Sequence, residues 1–362
     1  MGRHKKVVIN ESDVAVIKEE TTEVITNSEH DNLVEARDLA IKKLESEIGE
    51  GIIFSHSKEN LQNRPIYSTG ILSIDRVISK KSFGIPAGRI IELYGEQSSG
   101  KTTLALQLAA EINRNNGMVM YVDLEGKLDL GLAKAIGVQV DSVLFDISIP
   151  EDGEQALKIV EEMVRANVYQ LIIIDSVAAI STTKETTEGI DSNEMGGVPR
   201  LMGKALRTYV GMMRRIENKT LLLFINQVRS GMAKFGSFNT TPGGKALKFF
   251  SAVRLEVKVT EKLTNSEGVI YGQRVNVKAV KNQVDYPYYE TDVLLRFGEG
   301  FDKISDIIRM ACDLSIIEKA GAWFKYGERK IQGEENLKQF VIENNFVEEL
   351  TQKVKELLHA LH

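Results

Sequence analysis

Lys101 and Thr102, preceded by Gly95, Glu96, Gln97, Ser98, Ser99 and Gly100 and followed by Thr103, spell the pattern G-x-x-x-x-G-K-[ST]. In such a loop the lysine ammonium reaches the β and γ phosphates of a nucleotide and the threonine hydroxyl ligates Mg²⁺. Successive backbone N–H groups and the positive end of the following helix hold the rest of the polyphosphate. Gly95 and Gly100 let the main chain bend and come close. The pattern has this meaning only between a strand and a helix. Both are present: Arg89 to Tyr94 reads as a buried strand, and Leu104, Leu106, Leu108 and Ala109 continue as a helix.

Further chemistry-bearing residues close other apolar runs. Met118 to Val122 ends in Asp123 with Glu125 two residues on, and Leu171-Ile172-Ile173-Ile174 ends in Asp175. Ligands of open α/β sheets gather at the carboxyl ends of strands. Glu125 is thus a candidate to orient or deprotonate a water attacking a phosphoryl group, the alternative being a solvated turn acid. Asp175, after four aliphatics, is a candidate Mg²⁺ carboxylate. A fifth apolar run, Leu221 to Ile225, ends in Asn226-Gln227, and Gln227 either senses a γ-phosphate by hydrogen bonding or merely caps its strand.

Two glycine-rich segments follow such runs. Thr183 to Pro199 carries Gly189, Gly196 and Gly197, with Arg200 and Arg207 behind it. Ser230 to Gly244 carries Gly231, Gly236, Gly243 and Gly244 with Phe235 and Phe238, flanked by Arg229, Lys234, Lys245 and Lys248. Both are expected to be loops without regular structure, and long loops inside a compact domain are usually functional or disordered. Cations for phosphates, an aromatic to stack on a base and mobile glycines compose a single-strand-binding surface; the competing reading is an ordinary solvated loop.

Positioning these residues requires a parallel sheet. Strand and helix patterns alternate from Tyr67 to Gln227, which implies a mostly parallel sheet with helices on both faces. Short helices are predicted at 132–136 and 154–166, and a strand at Val143–Asp146. Ala252–Val259 and Gln273–Lys281 alternate as half-exposed strands that extend the sheet, separated by a turn at Asn265–Gly268. From about Gly300 the pattern becomes short helices around a hairpin at Trp323–Lys330. Ahead of the core, residues 1–32 read as a disordered tail. Residues 33–62 read as a helix from Leu33 to about Ile48, a short strand at Ile52-Ile53-Phe54 that must dock on another surface, and a linker. The boundaries are therefore 1–32, 33–62, 63–300 and 301–362.

The chain's 362 residues are 43% hydrophobic and 27% charged, ordinary for a soluble protein. No membrane-spanning run or signal-type segment is present, and a cytoplasmic location is expected. A net charge of −5 argues against coating nucleic acid through the overall field, so any nucleic-acid contact must be sought in particular segments. The five histidines show no metal-ligand spacing, and the lone Cys312 reads as a small buried apolar residue.

With these motifs in hand, the sequence resembles the bacterial RecA recombinase family. The resemblance rests on Gly95–Thr103, Asp123 with Glu125, Ile174–Ala179, Phe224–Arg229, Gly243-Gly244-Lys245-Ala246-Leu247-Lys248-Phe249, Val280-Lys281-Asn282 and Glu318–Trp323. It implies a RecA-type P-loop ATPase core, a small N-terminal helix-strand arm for oligomerisation and a small α/β C-terminal domain. It also implies ATP and Mg²⁺ as cofactors, single- and double-stranded DNA as partners, and a homo-oligomeric helical filament that performs homologous pairing and strand exchange. By the resemblance, Lys101, Thr102 and Asp175 hold ATP and Mg²⁺, Glu125 is the catalytic carboxylate and Gln227 the γ-phosphate sensor. Lys281 reaches ATP from the neighbouring subunit, Phe249 matches a subunit interface, and Phe235 takes the place of the wedging aromatic. The DNA loops bring in Arg200, Arg207, Arg229, Gly243, Gly244 and Lys245.

The sequence departs from the family where Gln283 replaces a second trans-acting lysine, Leu132 an aromatic that stacks on adenine, Gly126 a histidine and Ile190 an acid. A different-class alternative is a nucleotide-gated, DNA-bound scaffold or co-protease with weak turnover, assisting repressor cleavage or modulating a host recombinase; a repressor or host recombination proteins would then be further partners. A hexameric helicase on the same core is a third reading, which the terminal domains and the two glycine segments disfavour.

Overall fold

The computed structural model describes residues 27–48, 64–183, 196–215, 217–233 and 236–361. The chain divides into two compact units, Met1–Glu59 and Asn60–His362. In the first, α1 (Asn27–Ile48) starts ahead of Leu33, because its opening turns are polar and leave no hydrophobic period to read. Leu33, Leu39 and Leu44 are exposed along it. The strand expected at Ile52–Phe54 and the tail before Asn27 lie outside the described residues.

In the second unit β1 (Ile66–Tyr67) pairs with β2 (Ile85–Pro86), and α2 (Leu72–Ile78) lies between them in sequence. The central sheet then begins with β3 (Ile90–Gly95), followed by α3 (Lys101–Arg114), β4 (Val119–Asp123), α4 (Leu130–Ile136), β5 (Phe145–Ser148) and α5 (Gly153–Ala166). After β6 (Leu171–Asp175) come α6 (Gly197–Met213) and β7 (Leu221–Gln227). A hairpin of β8 (Arg229–Ala233) and β9 (Gly236–Thr240) and the helix α7 (Gly244–Phe250) lead to β10 (Val253–Thr264), β11 (Ile270–Asn282), β12 (Glu290–Arg296) and β13 (Gly300–Phe301). The nine-stranded sheet has the order β13-β12-β11-β10-β3-β7-β6-β4-β5. Pairing is parallel from β10 through β5 and antiparallel from β10 through β13, so the sheet is mostly parallel, as expected.

Strand alternation builds a core on each face. Ile91, Leu93, Tyr121, Ile173 and Leu223 pack with α3, while Ile90, Val122, Ile172, Ile174, Leu222 and Phe224 pack with α5 and α6. Two expectations shift. β5 runs two residues later than the Val143–Asp146 run because it is an edge strand, and Val143 itself is 83% exposed. The second glycine-rich segment, expected to lack regular structure, is partly a hairpin: Arg229 to Ala233 pair antiparallel with Gly236 to Thr240. That pairing is made by the backbone and follows no apolar alternation.

Beyond β13, α8 (Lys303–Asp313), α9 (Glu334–Glu343) and α10 (Val347–Ala360) pack around β14 (Glu318–Ala320), β15 (Trp323–Tyr326) and β16 (Arg329–Gln332). β15 and β16 are the expected hairpin. β14 was invisible because all three of its residues are exposed. Asp302 caps α8 by accepting from the Ser305 N–H at 3.0 Å and binds Arg296 of β12 at 2.8 Å and Lys338 of α9 at 2.6 Å.

Asp75 of α2 holds the preceding turn. It accepts from the Thr69 N–H and hydroxyl, both at 2.7 Å, and from the Ser68 hydroxyl at 2.5 Å. Burial pushes its carboxyl up to about 7 from an ordinary 3.8, against the pull of those hydrogen bonds. The folded state therefore keeps a proton that the unfolded chain releases, and stability falls as pH rises from about 4 to about 7. In Asp75→Asn the thermal midpoint should lose that part of its pH slope; an unchanged slope would mean that Asp75 is ionised in the native protein.

Candidate functional site

β3 delivers the glycine loop. A Cβ on Gly95 would sit 2.1 Å from the Val257 carbonyl oxygen of β10, so only glycine fits this close strand contact. Gly100 caps α3 at φ 94, in the left-handed region open to glycine. From β11, Gln273 donates its amide to the Ser98 carbonyl at 3.0 Å, so the antiparallel half of the sheet braces the loop. Glu96, Gln97 and Ser98 face solvent, whereas Ser99 is 1% exposed and its Oγ has no partner. Lys101 is buried, and its Nζ donates to the carbonyls of Gly95 at 3.2 Å and Glu96 at 2.6 Å. Burial lowers its pKa, opposed by Asp175, Glu125 and Glu96. An orphaned hydroxyl and a buried ammonium inside a glycine-bounded loop at a helix N-terminus fit a polyphosphate.

Asp175 ends β6 directly beside this loop. Its Oδ2 accepts from the Thr102 hydroxyl at 2.9 Å and the Tyr121 hydroxyl at 2.6 Å. Burial raises the Asp175 pKa and the two hydroxyls counter it. One carboxylate with one hydroxyl is a hard-oxygen set suited to Mg²⁺ that phosphates complete.

Glu125 lies just past β4, whose Asp123 stands in register with Asp175. Its Oε1 accepts from the Ser176 hydroxyl and, at 3.2 Å, from the Gln227 amide, while its Oε2 pairs with Lys127 at 2.9 Å. The Ser176 hydrogen bond first, and then Lys127, hold its carboxyl below the usual range. The fold thus brings Lys101 and Thr102 at the start of α3 together with Glu125, Asp175 and Gln227 at the ends of β4, β6 and β7. Sequence reasoning missed Tyr121, Ser176, Lys127 and Gln273. Tyr121 was legible in principle, since it sits two residues before Asp123 and strand side chains repeat every two residues.

Lys281 is elsewhere. It is opposite Arg254 on β10, which in turn neighbours Glu92 near the start of β3, toward the other end of the strands from the loop. Its Nζ donates to the Phe249 and Lys248 carbonyls at 2.7 and 3.0 Å, closing the end of α7 beside the exposed Phe249 ring. Burial and Arg254 lower its pKa. Gln283 is exposed, Leu132 packs against the core cluster of α3, and Gly126 adopts φ 64 with nothing within 4 Å of a would-be Cβ.

Of the DNA candidates, Arg200 and Arg207 are exposed on α6, with Lys204 at helical spacing between them, and Lys245 is exposed on α7. The two helices pack together: a Cβ on Gly203 would lie 3.9 Å from the Ala246 Cβ. Gly243 and Gly244 have φ of 83 and 75, and a Cβ on Gly243 would meet the Val177 side chain at 2.7 Å. Arg229 begins β8. Phe235, Ile190 and most of the first glycine segment lie outside the described residues. The base of the second segment is tied to the central sheet, because Asn226 of β7 donates its amide to the Pro242 carbonyl at 3.1 Å and to Glu92 of β3 at 2.9 Å.

Residues 35–302 match the RecA N-terminal domain family and residues 305–359 the RecA C-terminal domain family. Among curated relatives, the chain is 40% identical to Protein RecA of Halalkalibacterium halodurans over 89% of this chain and 91% of that one. It is 40% identical to Protein RecA of Sulfurimonas denitrificans over 90% and 93%, and 41% identical to Protein RecA of Syntrophus aciditrophicus over 85% and 89%. Among the described residues no helix is long and apolar enough to cross a membrane. A glycine-bounded lysine loop, the carboxylates and the Gln227 amide beside it on a mostly parallel sheet, with both family domains matched in order, lead to one conclusion: the chain belongs to the RecA family.

Proposed function

We propose that this protein is an ATP-hydrolysing DNA recombinase that assembles on single-stranded DNA and carries out homologous pairing and strand exchange. The observation that carries this reading is Gln227. Its amide touches Glu125 at the nucleotide end of the sheet, and its strand runs directly into the β8–β9 hairpin of the second glycine segment. Nucleotide state and DNA-loop geometry thereby share one strand.

Bound ATP with Mg²⁺ supplies the phosphoryl group and the charge that neutralises its oxygens. Lys101 and the loop N–H groups would hold the phosphates, and Thr102 and Asp175 the ion. Glu125 would orient the attacking water, and Gln227 would report the γ-phosphate. Arg200, Arg207, Arg229 and Lys245 would pair with DNA phosphates, with Phe235 as the stacking aromatic, a mode that reads no base edges. The scaffold with weak turnover is not favoured, because both RecA family domains match in order and relatives named Protein RecA align over about nine-tenths of the chain.

The test is ATP hydrolysis with and without single-stranded DNA, followed by a joint-molecule assay. Stimulation by DNA together with joint molecules is expected; filaments without joint molecules would favour the scaffold.

Lys281 completes the site from a neighbouring copy in this reading, and Gln283 stands where a second trans-acting lysine would be expected. Lys281→Ala should lower DNA-stimulated hydrolysis by about 10- to 100-fold, the worth of a hydrogen bond to a charged group. Mixing it with Lys101→Ala should restore part of the activity, because each variant supplies what the other lacks. No recovery on mixing would place Lys281 outside the neighbour's site.

A further inference from the structure

A cavity of about 240 Å³ opens between α2 and the helical layer after β13, and none of its walls belongs to the nucleotide or DNA residues named above. Helical spacing turns Ser73 and Arg76 of α2, with Lys80 just past its end, toward the same space. Ser73 is 5% exposed, yet its Oγ has no hydrogen-bond partner, and the buried Nε of Arg76 has none either. Buried polar atoms are nearly always partnered, so two orphans on one wall point to a missing ligand.

The charges have one sign to spare. Among the described residues neither Arg76 nor Lys80 forms an ion pair; the Lys80 ammonium rests 3.7 Å from the centre of the Tyr289 ring. Of the two carboxylates in the walls, Glu290 pairs with Lys278 at 3.1 Å and the exposed Asp313 lies 3.6 Å from Arg309, which leaves two cations, Arg76 and Lys80, without an ion pair. Arg309 also binds Asp306 at 2.7 Å and the Thr291 hydroxyl at 3.1 Å, so it is committed to the wall. A guanidinium and an ammonium free of ion pairs, lining one cavity with an unpartnered hydroxyl, suit an oxyanion.

We propose that this cavity binds a small phosphate-type oxyanion, either free or carried on a small organic body. Arg76 and Lys80 hold its charge and Ser73 donates to it. The bound ligand bridges α2 of the core to the helices of the C-terminal region.

The experiment uses the full chain carrying Lys101→Ala, so that the glycine loop does not compete. Inorganic phosphate is titrated by calorimetry at constant ionic strength, and a nucleoside monophosphate in a second arm. Saturable single-site binding is expected, weakened about tenfold or more by Arg76→Gln and by Lys80→Gln. Tighter binding of the monophosphate identifies a carried phosphate, and equal binding a free one. No saturable binding of either probe, or binding that neither substitution weakens, overturns the proposal.

Discussion

Glu125→Gln lowers the turnover number of DNA-stimulated ATP hydrolysis by about a hundred- to ten-thousand-fold, the range typical for loss of a positioned acid–base group, while nucleotide affinity stays near the parent value. Glutamine keeps the shape and can still accept from Ser176 and Gln227. What it removes is the negative charge that Ser176 and Lys127 hold ionised. A carboxylate held below its usual pKa is a weak acceptor in the ground state, so its contribution falls on the transition state, where the water's proton becomes acidic. The effect therefore belongs in the turnover number, not in binding. Single-turnover kinetics paired with a nucleotide-binding titration separate the two. A fall of less than about tenfold, or an equal loss in affinity, would remove Glu125 from the catalytic role.

Arg254→Ala destabilises the fold by about 3–5 kcal/mol, the usual result of stranding one member of a buried ion pair. Glu92 is 0% exposed in the middle of the sheet, where Arg254 meets it at 2.5 Å and Asn226 donates to its other oxygen at 2.9 Å. The guanidinium also lies 4.6 Å from the centre of the Tyr94 ring. Without Arg254 the Glu92 carboxylate keeps one amide donor and only the more distant charge of Lys281. Replacing both members by apolar residues, as in Glu92→Leu with Arg254→Met, should recover much of the loss, since the pair carries a desolvation penalty that apolar side chains avoid. Urea unfolding midpoints of the two proteins decide it. A single variant as stable as the parent would mean that water reaches Glu92.

The sequence showed the parts of the site that are contiguous in the chain. Gly95 to Thr103 and Ile174-Asp175 carry their meaning locally, because a loop between a strand and a helix and a carboxylate after four aliphatics need no distant partner to be read. What could not be read depends on register between distant strands. Glu92 looks like an interruption in an apolar run until β10 places Arg254 against it and β7 places Asn226 on the other side. Ser176 gains its role only when β6 aligns with β4. The fold class followed from alternating periods, while boundaries slipped where burial was partial, as at β5, at the exposed β14 and at the polar start of α1.

Asn226 and Gln227 are consecutive, and the Asn226 side chain also accepts from the Gln227 N–H at 2.9 Å. One looks to Glu92 and the foot of the hairpin at Pro242, the other to Glu125. A single planar peptide unit separates them, and such a unit turns as a rigid body. In the proposed reading, a nucleotide that shifts the Gln227 main chain would therefore also pull on Asn226 and, through it, on the foot of the hairpin at Pro242.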